Sequence, residues 1–137
     1  MKKILIYLSM IFLMFSCVNK SQEKEEIIKI YNYKQELIKE VKDKETLDYF
    51  SILIGKSTEN MGNNSSFPLV KIPEDAEKSL TYEFIKKRED GKIINVKFFV
   101  YSNYKYLTLK MPVIPEISWE LSDEDYEKLT NLEKINN

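Results

Sequence analysis

Residues 92–111, KIINVKFFVYSNYKYLTLKM, constrain this chain more than any other stretch. Apolar and polar side chains alternate along two arms around Ser102-Asn103, the pattern of a β-hairpin. A two-residue turn at Ser102-Asn103 sets Ile94 against Met111, Val96 against Leu109 and Phe98 against Leu107 on one face. The other face then carries Tyr101 opposite Tyr104, Phe99 opposite Tyr106 and Lys97 opposite Thr108. A one-residue slip would turn the aliphatic row outward, so burial specifies the face.

The segment before this hairpin extends it. Residues 79–87 read as a strand, and Glu89-Asp90-Gly91 fits a three-residue loop with Gly91 in the left-handed position. That loop pairs Arg88 with Lys92, Phe84 with Val96, Tyr82 with Phe98 and Leu80 with Val100. All three apolar pairs lie on the core face. Glu83 falls opposite Lys97 on the outer face, as a cross-strand ion pair.

Upstream, residues 27–33 and 37–41 read as two strands turning at Lys34-Gln35-Glu36, with a helix over residues 36–42 as the alternative for the second. Asp43 caps a helix over residues 44–54, whose Leu47, Phe50, Leu53 and Ile54 form one stripe. Gly55 is placed to end that helix. Residues 56–73 combine Gly62, Asn63, Asn64, Ser65, Ser66, Pro68 and Pro73 and read as a long loop. Pro112 and Pro115 end the fifth strand, and residues 117–121 add a short edge strand. Ser122 and Asp125 form a capping box for a last helix over residues 123–135, with Tyr126, Leu129 and Leu132 inward. The fold class is α+β: an antiparallel sheet built on a three-stranded meander with two helices, in the order ββαβββ(β)α.

The first 17 residues, MKKILIYLSMIFLMFSC, set a basic start before an apolar run too short for a comfortable membrane span. The ending Leu13-Met14-Phe15-Ser16-Cys17 resembles a bacterial lipoprotein signal with its lipobox, Met14 and Phe15 departing from the commonest residues. The resemblance implies removal of residues 1–16, diacylation of Cys17, and a lipid-anchored place on the cell membrane or outer membrane, outside the cytoplasm. An uncleaved anchor, or a plain signal peptide with an incidental cysteine, would use the same residues. Residues 17–26 then comprise the lipidated cysteine and a polar tether, and residues 27–137 one α+β domain. That body resembles small lipoprotein domains of unknown function from low-GC bacteria in its strand pair before the first helix, its Tyr-rich hairpin and its segment from Trp119 to Tyr126. This second resemblance implies no activity.

Composition narrows the chemistry. The 137 residues contain no His, one Cys and three Gly, with 21 basic and 22 acidic side chains. Imidazole catalysis, an intrachain disulfide and a Gly-rich phosphate loop are excluded, and the charge balance gives no sign of nucleic-acid binding. Asp123, Glu124, Asp125 and Glu127 are acidic neighbours that helix capping explains, so no metal or cofactor is expected. Trp119 reads as a core residue rather than a stacking platform. The candidate partner-binding residues are the outer-face aromatics Phe99, Tyr101, Tyr104 and Tyr106, with Thr81 beside them; a covering helix is the alternative for that face. The expectation is a non-catalytic, lipid-anchored binding protein for an unknown protein partner, in the manner of an inhibitor or immunity protein. An accessory subunit of an envelope complex, or a hydrolase with an unrecognised site, are the alternatives.

Overall fold

A computed structural model of the chain describes residues 25–59 and 69–132. The expected signal segment, Cys17, the expected tether through residue 24, residues 60–68 of the expected long loop and the expected extension of the last helix over residues 133–135 lie outside the described residues. Among the described residues, no helix is long and apolar enough to cross a membrane.

Among the described residues the chain forms one antiparallel sheet and two helices, an α+β arrangement. In chain order the elements are β1 (Glu26–Asn32), β2 (Leu37–Val41), α1 (Lys44–Glu59), β3 (Lys78–Lys87), β4 (Ile93–Tyr101), β5 (Tyr106–Met111), β6 (Ile114–Glu120) and α2 (Asp123–Asn131). The sheet has six strands in the order β2-β1-β3-β4-β5-β6, so the expected meander continues into β6 on one side and is flanked by the β1–β2 pair on the other. Ile28 and Ile30 of β1 are fully buried and face Phe84 and Tyr82 of β3. The β1–β2 turn forms because the Asn32 carboxamide oxygen accepts from the Lys34 and Glu36 amides, which lets Gln35 adopt φ 63°.

Both helices pack on the sheet face that carries Tyr82 and Phe98. Phe50 of α1 sits with its ring centroid 5.1 Å from each of those rings. Leu129 of α2 is fully buried, and its carbonyl accepts a hydrogen bond from the Tyr82 hydroxyl. The helices also meet each other: Tyr49 donates to Asp125 at 2.9 Å while the Lys128 ammonium lies 4.2 Å from the Tyr49 ring. Trp119, 4% exposed and opposite Leu107, belongs to the same core.

The β3–β4 hairpin has the expected register, with Phe84 opposite Val96, Tyr82 opposite Phe98 and Leu80 opposite Val100. Gly91 has φ 80° in a loop closed by Arg88 and Lys92. The β4–β5 hairpin differs. Phe98 faces Leu109 and Val100 faces Leu107, a slip of two residues from the expected pairing, and a four-residue loop of residues 102–105 replaces the two-residue turn. The reason is a contact outside the hairpin. Ser102 and Asn103 bond to the backbone of Glu77, and the Asn103 amide donates to the Asp75 carbonyl at 2.7 Å. A slip of two preserves side-chain parity, so the aliphatic row still faces the core.

Three boundaries are corrected. α1 runs through Gly55 to Glu59, and its buried Ser57 hydroxyl donates to the Ile54 carbonyl. The expected loop is therefore shorter at both ends: Val70 donates to the Ser118 carbonyl and Leu69 bridges Trp119. Pro115 does not end a strand but lies inside β6. There the pairs Leu109–Ile117 and Met111–Ile114 leave two residues facing Lys110, a bulge that spares a proline its missing donor.

Candidate functional site on the outer sheet face

The face opposite the helices carries alternate residues of the central strands, and they form a polar network. The Tyr101 hydroxyl bonds Thr108 at 2.8 Å, and Thr108 bonds Ser118 at 2.8 Å. On β3, Glu83 accepts from the Tyr31 hydroxyl at 2.8 Å and the Asn95 amide at 2.6 Å. Those donors occupy both carboxylate oxygens, so Glu83 is held by them rather than by a closed ion pair with Lys97. Burial alone would raise the Glu83 pKa. The hydrogen bonds from Asn95 and Tyr31, with the charges of Lys97 and Lys29, outweigh it and hold the carboxyl below its ordinary value.

The four aromatic candidates separate into two pairs. Phe99 and Tyr101 are buried, at 8% and 3% exposure, so they cannot present open aromatic area to a partner. Thr81, at 3%, is buried beside them. Tyr104 and Tyr106 remain partly accessible and stack with centroids 5.4 Å apart and planes within 4°. Asp75 fixes the Tyr104 hydroxyl through both carboxylate oxygens, at 2.8 and 2.9 Å, and this hydrogen bond raises the tyrosine pKa. The slipped register places Phe99 opposite Thr108, not Tyr106.

The same slip creates a feature the sequence did not disclose. Lys97 lies directly opposite Lys110. Like charges facing each other across a ladder are destabilising. Nearby Glu116 lies 3.4 Å from Lys110, with both side chains more than half exposed, which offsets little of that cost. Beside this pair a groove of about 590 Å³ is lined by Lys78, Lys97, Lys110, Asn95, Phe99 and Met111, among others. The Lys78 ammonium stands 3.9 Å from the centroid of the Phe99 ring, within cation–π distance. The groove thus brings together three ammonium groups and the Gln35 and Asn95 carboxamides beside a largely covered Phe99 ring, chemistry suited to an anionic group. Of the sequence candidates only Phe99 lines it; the lysines were hidden because the pairing of Lys97 with Lys110 depends on the loop length.

The acidic cluster at α2 has structural partners. The Asp125 amide donates to the Ser122 hydroxyl at 3.1 Å, and Lys105 pairs with Asp123, lowering the carboxyl pKa and raising that of the amine. Among the described residues, no group of three or more His, Cys, Asp or Glu side chains could hold a metal ion. No family model, curated protein or solved structure matches the chain.

Proposed function

We propose that the chain is a non-catalytic, lipid-anchored cell-envelope protein that binds a protein partner through its outer sheet face, as an inhibitor or immunity protein does. The single observation behind this reading is the Lys97–Lys110 pair at the groove it helps to line. An apposed pair of cations costs stability in the free protein and gains from a partner that brings carboxylates. Membrane attachment enters through the resemblance of residues 1–17 to a lipoprotein signal. The absence of His removes the commonest general base and supports binding over catalysis.

The test is crosslinked capture from the native envelope with the mature chain as bait, beside a Lys97→Gln/Lys110→Gln variant. These exposed lysines are better probes than Phe99, whose burial would confound binding with folding. A stoichiometric partner captured by the wild type and lost in the variant is the expected result. Capture of no partner by either bait would sink the reading.

A further inference from the structure

The sheet has one end where three observations converge, none of which the groove uses. The chain leading back to Cys17 departs there: the Lys87 amide donates to the Glu25 carbonyl at 3.1 Å, and Glu26 at the start of β1 faces Lys86. The β3–β4 hairpin presents Ile93 and Ile94 at the same end, opposite Lys87 and Lys86. The β5–β6 turn contributes Val113 at the same end, because β5 runs antiparallel to β4 and finishes where β4 begins. Ile93 is 68% exposed, Ile94 37%, and Val113 wholly exposed at 103%. Val113 also has φ 74°, at a turn position normally given to Gly or Asn. A β-branched residue is strained there and, being fully exposed, makes no use of its side chain within the fold.

We propose that this end of the sheet is a membrane-contacting surface, with Val113, Ile93 and Ile94 entering the interfacial layer of the bilayer to which Cys17 is anchored. Seven residues separate Cys17 from Glu25. Fully extended, that stretch reaches about 28 Å. An acylated Cys17 therefore keeps this end close to lipid. Of the neighbouring cations, Lys86 and Arg88 pair with Glu26 at 2.7 Å and Asp90 at 3.7 Å, and Lys87 and Lys92 are matched in number by Glu25 and Glu89, so contact rests on apolar side chains and does not need anionic lipid. The strands then stand on the bilayer, the groove opens sideways, and the loop of residues 102–105 lies farthest from the lipid.

This inference rests on acylation of Cys17, and the experiment separates the two. The lipidated full chain carries Val113→Cys or Tyr33→Cys, labelled with an environment-sensitive dye, in phosphatidylcholine vesicles with brominated acyl chains. Tyr33 is also 68% exposed but follows the far end of β1. The expected result is blue-shifted, bromine-quenched emission at 113 and solvent-like emission at 33. Solvent-like emission at both positions, in protein that floats with the vesicles, would overturn the docking inference while leaving the anchor intact. If the chain does not float, or if residues 17–137 float equally with Cys17→Ala and without the signal segment, the anchor reading fails and the inference falls with it.

Discussion

Phe50 of α1 and Tyr82 of β3 meet with ring centroids 5.1 Å apart, and both side chains are fully buried. That contact seats the helix over the middle of the sheet, and the Leu129 carbonyl accepts a hydrogen bond from the Tyr82 hydroxyl. Phe50→Ala removes the ring from a site bounded by Tyr82, Phe98 and Tyr49. The expected loss is about 3–5 kcal/mol of unfolding free energy. Ile52→Ala, on the same helix at 55% exposure, changes stability by about 0.5 kcal/mol or less. Urea titrations of the two variants compare them directly; equal losses would place Phe50 outside the core.

Thr108 is the middle member of the outer-face chain, 2% exposed, bonding both Tyr101 and Ser118. Thr108→Val keeps the volume but takes the partner from both neighbouring hydroxyls. A loss of about 1–3 kcal/mol is expected, because buried polar groups left unpaired bear their desolvation cost. The corresponding Val100→Thr on the core face tests the same rule in reverse, introducing a buried hydroxyl at a fully buried site.

Two glycines give opposite expectations. Gly91 has φ 80°, so Gly91→Ala forces an L-residue into left-handed backbone although nothing lies within 4 Å of the added carbon. The expected cost is about 1–2 kcal/mol. Gly55 sits inside α1 with equally open space, and Gly55→Ala is expected to stabilise by about 0.5–1 kcal/mol. Thermal unfolding of the pair reads out the difference in sign.

Why parts of this fold were legible in the sequence follows from which residues decided them. Gly91 and the alternation through Tyr82, Phe84, Val96 and Phe98 fix the β3–β4 pairing locally, loop and burial agreeing. The β4–β5 pairing looked equally local but is set by Asp75 and Glu77, more than twenty residues away in sequence, which capture Ser102 and Asn103. Periodicity is indifferent to a slip of two, so the core face was readable while the partners across it were not. The groove inherits that uncertainty, since it depends on Lys97 meeting Lys110. Gly55 misled for a related reason: the burial of Ser57, a tertiary fact, outweighs the local preference of glycine to end a helix.

Asp43 makes stability depend on pH in a defined direction. Its carboxylate accepts the Thr46 amide at 2.9 Å, and that hydrogen bonding holds its pKa below the ordinary value. As pH falls, the unfolded chain therefore binds a proton before the folded chain does. The contribution is complete above the ordinary carboxylate value of about 4 and is lost as pH drops through the depressed folded value. Asp43→Ala should cost about 1 kcal/mol at neutral pH. The gap between variant and wild type should narrow in acid. Urea midpoints measured at neutral and acid pH check both statements; a gap independent of pH would mean the cap does not act through its charge.

Lys97 and Lys110 carry the functional reading, and their removal should separate binding from folding. Each is exposed, and their direct apposition is repulsive, while the contact of Lys110 with Glu116 at 3.4 Å is solvent-screened. Lys97 also helps to hold the Glu83 carboxyl in its charged form. These opposing effects are small, so Lys97→Gln/Lys110→Gln should change unfolding free energy by about 0.5 kcal/mol or less. Partner capture, in contrast, should fall sharply and become less salt-dependent, because two ammonium groups facing the groove are gone. Capture that persists at wild-type strength and salt dependence would move the binding surface away from the groove, to another part of the outer face. The stacked Tyr104–Tyr106 pair would then be the next surface to probe, since Asp75 holds it rigid and partly accessible beside the 102–105 loop.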